Sequence, residues 1–432
     1  ALLQQYSTFN GQYYVLWYRI YGYNNYGLSY TTPAQVIYYS PNAINVSVVN
    51  NSLSNTQIQG IIQSAINSSI PIVVFTPGTY LVNLVIDPQG RNITLLGTGN
   101  VIFQPALPGL PVITVKSSNV TIQNINIQTN LFAIRLENGT LNLVNDNINS
   151  GLFGIQVTNP STLNIYNSTI SGQIAGIYAS GSIQNSTISN ANIKSSVWGI
   201  YINNPYNVIV NSSNINGQIF GVLFDGNALN NYIVNNNIQS NIFGIKINSG
   251  NGNYILNDYI NSNIFGIYLT SSGNTINNIT IKVGQVFGLY ITQPNNISNV
   301  VTYGGVFGVY LTGNATNISV YNSQLGASIF GQGIIYNLTF SSGSIIYQYE
   351  GQAFINKANN ILLATVMNGI LYNFAAGVSI IGNPIANVTF IYDNPLAKSY
   401  VVEKVVSGIS NIISVNKTFV PSGFGNYILF YT

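Results

Sequence analysis

Eight carboxylates and eleven basic side chains are all the charge this 432-residue chain carries, and it has no histidine or cysteine. The residues that could do chemistry are few enough to take one by one. Arg135 and Glu137 are two apart, so an extended backbone puts both on one face, as an arginine–carboxylate site or a solvated ion pair. Two-carboxylate glycoside hydrolysis needs acids roughly 5 to 9.5 Å apart. Histidine-dependent triads and imidazole acid–base work lack their key residue. The usual zinc, copper and iron ligand sets lack His and Cys, and a calcium site needs converging acids where these are dispersed. No catalytic, cofactor-binding or metal-ligating residue is assigned, and no cofactor is expected.

Whether the acids meet depends on the elements that hold them. An aromatic or apolar anchor followed by Gly or Ala and then Ile, Val or Leu recurs at Phe132, Phe153, Ala175, Trp198, Phe220, Phe243, Phe265, Phe287, Phe307 and Phe330, in steps of 20 to 23 residues. That period, in a stretch rich in Asn, Gly, Ser, Thr and β-branched residues, predicts a β-solenoid of about twelve coils rather than helical repeats or a propeller. Each coil reads as a short strand, a turn and another short strand. Alternation places Phe265, Ile267 and Leu269 on one face and Tyr268 on the other, so the aromatic anchors are predicted to stack inside and turn asparagines to form amide ladders. The Gly after each anchor reads as a bend. Asp146 and Asp258 then share a column five coils apart, about 24 Å, and Glu137 and Asp225 share another four coils apart, about 19 Å. Neither pair reaches hydrolase spacing, although acids of different columns could still meet across one coil.

The repeat phrase Asn237-Ile238-Gln239-Ser240-Asn241-Ile242-Phe243-Gly244-Ile245 and the segment before the repeats resemble the pectate-lyase-like right-handed parallel β-helix superfamily. In that segment residues 56–67 read as an amphipathic helix, followed by Ile72-Val73-Val74-Phe75-Thr76-Pro77-Gly78-Thr79-Tyr80. The resemblance covers about residues 56–347. It implies an all-β, right-handed parallel β-helix whose open end is covered by an N-terminal helical cap, and it says little about function.

Three regions follow: a Tyr-rich strand segment over 1–54, the β-helix over 55–347, and a C-terminal β-sandwich-like domain over 348–432, where strand-like runs alternate with Gly, Asn and Pro turns. The N-terminal strands could complete that sandwich, pair along the solenoid, or insert into a neighbouring subunit. Tyr13, Tyr14, Trp17 and Tyr18 are the candidate subunit-linking residues. On the repeats, the outward position three after the anchor holds Tyr178, Tyr201, Tyr268, Tyr290 and Tyr310, a stripe that could form an interaction face or simply stack coil on coil.

The setting follows from composition. Net charge is +3 without a basic cluster, which argues against nucleic acid, and no run of about 18 apolar residues reads as a membrane span. The chain starts at Ala1, as a mature form after signal removal would. Sixteen N-glycosylation sequons occur, at Asn45, Asn50, Asn67, Asn92, Asn119, Asn138, Asn167, Asn185, Asn211, Asn278, Asn296, Asn314, Asn317, Asn337, Asn387 and Asn416. Few titratable groups mean a weak dependence of stability on pH, and the composition resembles that of surface proteins of hot-acid archaea. The expectation is a non-catalytic extracellular protein, a glycosylated subunit of a self-associating filament linked by strand donation. The alternatives are a virus receptor-binding spike or adhesin that engages cell-surface glycans, and a polysaccharide lyase or hydrolase.

Overall fold

A computed structural model describes residues 46–305, 308–321, 398–417, 419 and 427–430 with their side chains, Ser118 excepted, and backbone strands alone in parts of the remainder. The chain divides into two compact units, residues 1–236 and 237–432. The described strands of both follow a parallel β-solenoid pattern, about twelve turns in all.

In the first unit a coil contains three strands, one more than the sequence pattern resolves. Gly139–Val144, Asn147–Ser150 and Phe153–Val157 pair in parallel with Ser118–Gln123, Asn126–Thr129 and Phe132–Leu136 of the coil before. The first two strands of each coil are split by a residue in the left-handed region: Asn124, Asn145 and Asn167 have φ of 57°, 56° and 51°. Asparagine tolerates that conformation better than other non-glycine residues. Its amide then links coils, Asn167 Nδ2 donating to Asn145 Oδ1 at 2.6 Å. On the preceding strand Asn142 Nδ2 donates to Asn119 Oδ1 and Asn164 Nδ2 to Asn142 Oδ1, at 2.6 and 2.9 Å. Inside, Ile134, Ile155, Ile177, Ile200 and Val222 form a fully buried column, each side chain contributing roughly 1.5–3 kcal/mol.

The helix Asn55–Asn67 closes the start of this unit. Ser54 and Gln57 form a capping box, with Gln57 N donating to Ser54 Oγ at 3.3 Å and Ser54 N to Gln57 Oε1 at 2.8 Å. Ile58, Ile62, Ala65 and Ile66 are its buried face. The cap also finishes a strand edge: Gln59 Nε2 donates to Val85 O at 2.6 Å and Val85 N donates to Gln59 Oε1 at 2.9 Å, so a side-chain amide replaces a missing strand. Gln59→Leu, which keeps helix propensity and removes both bonds, is expected to lower unfolding free energy by about 1–2 kcal/mol in urea denaturation.

In the second unit Phe243, Phe265 and Phe287 are in register, as are Ile245, Ile267 and Leu289. The aromatic anchors stack as predicted, Phe243 on Phe265 at 5.1 Å and Phe265 on Phe287 at 6.3 Å, but not on the inward face. Phe265 is half-buried and meets Tyr268 edge-on at 5.3 Å, while Ile267 and Leu269 are fully buried, so the anchor lies on the tyrosine side. Gly266 is the reason: a Cβ there would come within 2.4 Å of Ile281 Cγ2 and 2.6 Å of Gly288 O, so the strand passes tight against its neighbours and the alternation breaks. Parallel pairing continues through Ser344–Lys357, Asn360–Leu363 and Asn387–Phe390. Antiparallel pairing joins Tyr400–Val406 to Ile409–Ser414 and to Gly425–Tyr431.

Candidate functional site

The charged residues weighed for catalysis are occupied structurally. Glu137 pairs with Lys116 at 3.2 Å, not with Arg135, because Val115 and Leu136 are in register and set their successors side by side. Arg135 instead donates from Nε to Gln156 Oε1 at 3.1 Å and lies over the Phe132 ring. Asp146 is buried and accepts from Ile125 N and Val144 N, both at 2.9 Å, and burial pushes its carboxyl well above the usual range against the pull of those two bonds. Asp225 accepts from Gly226 N at 2.9 Å and from the Tyr201 hydroxyl at 3.4 Å. Asp258 is 2 % exposed. Asp87 accepts from Ser117, and Glu403 from Ser410. Among the described residues no three potential metal ligands cluster.

The tyrosine stripe is brought together within each unit. Tyr178 and Tyr201 stack at 5.0 Å in the first; Tyr268, Tyr290 and Tyr310 stack at 4.9 Å and 4.9 Å in the second. These separations equal the rise between parallel strands, so the ring faces turn toward each other along the column. Lys246 lies over Phe243 and Tyr268. The Tyr290 phenol is raised by burial and then by its neighbours Tyr268 and Tyr310; that of Tyr201 is raised by burial and then by Asp225. The stripe stays half-buried, offering ring edges rather than open faces.

An open concave surface in the first unit lies one strand earlier. The residue after each buried isoleucine of the short strands, Gln128, Asn149, Ser171, Lys194 and Asn216, points outward, and these five are in register coil on coil. They form the floor of a shallow groove flanked by corner residues Asn130, Gln173 and Gln218. One stretch of about 540 Å³ is lined by Gln104, Gln128 and Asn149, and a second of about 370 Å³ by Asn149, Ser171, Lys194 and Asn216, with Asn149 common to both. Gln104 Nε2 donates to Gln128 Oε1 at 3.3 Å and Ser171 Oγ to Asn149 Oδ1 at 3.0 Å. Apart from Lys194, Pro105 and Gly172, the lining side chains are amides and hydroxyls, groups that both donate and accept. Sequence reasoning missed these positions. The signal available was the polar residue following Ile127, Ile148, Ile170, Ile193 and Ile215.

Residues 111–258 match the family model described as a right handed beta helix region. The solenoid is a right-handed parallel β-helix. No curated protein matches the sequence. Among solved structures, the β-helix is similar to PfbA, a surface adhesin of Streptococcus pneumoniae, with 12% identity, 86% of this chain and 99% of that chain covered, and a TM-score of 0.42. It is also similar to ORF18 of Geobacillus virus E2, with 15% identity, coverage of 95% and 82%, and a TM-score of 0.36. A third likeness is to the catalytic unit of an α-1,3-glucanase from Streptomyces thermodiastaticus strain HF3-3, with 14% identity, coverage of 84% and 75%, and a TM-score of 0.33. Likenesses this distant carry no functional argument.

The β-helix places its sequons unequally. Asn211 is 1 % exposed with its Nδ2 directed to Ser189 Oγ, whereas Asn50, Asn67, Asn92, Asn138, Asn167, Asn185, Asn278, Asn296, Asn314, Asn317 and Asn416 are exposed and Asn119 is half-buried. Asn45, Asn337 and Asn387 lie outside the residues described with side chains, as do Tyr13, Tyr14, Trp17 and Tyr18. The strand Tyr14–Tyr18 pairs antiparallel with Gln35–Tyr39, and its residues Tyr14 and Val15 also pair with Thr8–Phe9. No helix among the described residues is long and apolar enough to cross a membrane.

Proposed function

We propose that this β-helix is a non-catalytic, surface-displayed protein that binds glycan chains along its polar groove. The observation that carries the proposal is the row Gln128, Asn149, Ser171, Lys194 and Asn216, one outward polar side chain per coil lining an open groove. A saccharide chain presents hydroxyls that donate and accept at every residue, and a floor of amides and hydroxyls repeating at about 4.8 Å can answer them in the same manner. The non-catalytic part rests on Asp87, Glu137, Asp146, Asp225 and Glu403, which hold backbone amides, hydroxyls and a lysine.

This is the adhesin or receptor-binding alternative in preference to the strand-donating filament. A donor strand needs free edges, and in Tyr14–Tyr18 one edge pairs along its length with Gln35–Tyr39 while Thr8–Phe9 takes part of the other. Binding of the purified protein to an immobilised panel of polysaccharides is the test. The triple variant Gln128→Ala, Asn149→Ala, Asn216→Ala is expected to lose about tenfold or more in affinity, with unchanged thermal unfolding. Prolonged incubation should leave polysaccharide length unchanged. Release of new reducing or unsaturated ends would overturn the non-catalytic reading, and retention of binding by the triple variant would overturn the groove.

A further inference from the structure

Lys194 is the one charged side chain among the residues lining the groove, in a row whose other members, Gln128, Asn149, Ser171 and Asn216, are neutral. It is exposed and makes no ion pair with any described residue. A lysine in a shallow polar groove, with no acid paired to it among the described residues, is a fixed positive charge offered to the ligand.

A second observation points to the same coil. Ser195, the next residue, also lines the groove; it is 6 % exposed, and its Oγ has no hydrogen-bond partner. Buried hydroxyls without partners are uncommon and call for an explanation. The serine at the same place in an earlier coil behaves differently: Ser150 Oγ donates to Ser171 O at 3.1 Å. Ser195 stands between two glycines, in register with Gly172 on one side and Gly217 on the other, so neither neighbour supplies a side-chain partner. Its hydroxyl makes no bond in the fold that a ligand would have to break.

We infer that the coil carrying Lys194 and Ser195 is an oxyanion subsite, which selects saccharide chains bearing a carboxylate or a sulfate ester. An ammonium that only donates, beside a hydroxyl free to donate, matches a group that only accepts. This rests on the glycan-binding reading and adds to it the class of ligand.

The test uses the full chain with Trp17→Phe, which leaves Trp198, three residues from Ser195, as its one tryptophan. Hyaluronan octasaccharide supplies carboxylates alone, dextran sulfate of similar length sulfate esters alone, and dextran neither; binding is read by Trp198 fluorescence and calorimetry. At least one anionic probe is expected to bind about tenfold more tightly than dextran. Whichever anionic probe binds shows which oxyanion the subsite takes. Lys194→Ala should bring that probe down to the dextran value and weaken its dependence on salt. Ser195→Ala should cost about threefold in anion binding without lowering the melting temperature, since the hydroxyl it removes has no partner in the fold. Equal binding of all three probes, or an anionic preference that survives Lys194→Ala, overturns the subsite and leaves glycan binding standing. Absence of binding to every probe overturns both.

Discussion

Gly266→Val is expected to destabilise the second unit by about 3 kcal/mol or more, the range of severe overpacking. The atoms that a Cβ at Gly266 would strike, Ile281 Cγ2 at 2.4 Å and Gly288 O at 2.6 Å, belong to a core side chain and to a paired strand. Neither can retreat without disturbing the coil to which it belongs. The same position in the first unit shows the same crowding: at Gly199 a Cβ would meet Gly221 O at 2.6 Å and Ile215 Cγ2 at 2.6 Å. One repeat carries Ala133 there, fully buried, so a single methyl can be accommodated where the neighbouring coil is shaped for it. Gly266→Ala should accordingly cost less, about 1–2 kcal/mol. Gly60 is the contrasting glycine, with nothing within 4 Å of its would-be Cβ and a place inside the helix Asn55–Asn67. Gly60→Ala should stabilise by up to about 1 kcal/mol through helix propensity. Urea unfolding of the three variants checks the order, and a Gly266→Val protein as stable as the parent would remove the steric explanation of the recurring glycine.

Acid should strengthen the fold through Asp146. Its carboxyl, buried and raised well above the usual range, takes up a proton at a higher pH in the folded chain than in the unfolded one, where the value is near 3.9. Between the two values the folded state binds more protons, so stability rises as pH falls through that window and levels off below about 3.9. Within the window the contribution approaches about 1.4 kcal/mol per pH unit. Asp146→Asn keeps an acceptor for one of the two backbone N–H groups, from Ile125 and Val144, and abolishes the titration. The difference in unfolding free energy between parent and variant, measured from pH 7 to pH 3, should shift in favour of the parent as pH falls; a shift the other way rejects the assignment. Asp146→Ala leaves both N–H groups unpaired and should cost roughly 2–5 kcal/mol at any pH in this range.

The buried acid shows where sequence reasoning stops. Its column was visible, and its use was not. Asp146 is one of a series of turn side chains that accept backbone N–H groups from the adjoining coil: Asp146 N donates to Ser168 Oγ at 3.0 Å, Ala191 N to Ser213 Oγ at 3.1 Å and Ser213 N to Asn236 Oδ1 at 3.0 Å. Carboxylate, hydroxyl and amide do the same job there, so the types vary while the geometry does not. The anchor phrase was read on the wrong face for a related reason, since alternation is reliable only along an unbroken strand and Gly266 interrupts it. The groove escaped notice because its polar residues resemble the rest of an asparagine- and serine-rich surface; only the register of neighbouring coils makes them a row.

The sequence by itself determined the coil: its length, the inward Ile and Leu positions, the asparagine ladders at the turns and the amphipathic capping helix. These follow from properties of the chain alone, the period of burial, the capacity of an amide to donate and accept, and the spacing of apolar residues along a helix. Only the tertiary structure decided which side chains face one another from coil to coil: Lys116 with Glu137, Tyr268 with Tyr290, and Lys194 beside a serine with no partner. Contacts across a rise of about 4.8 Å depend on how each corner turns and on what the adjoining coil places opposite, and a linear repeat does not record either.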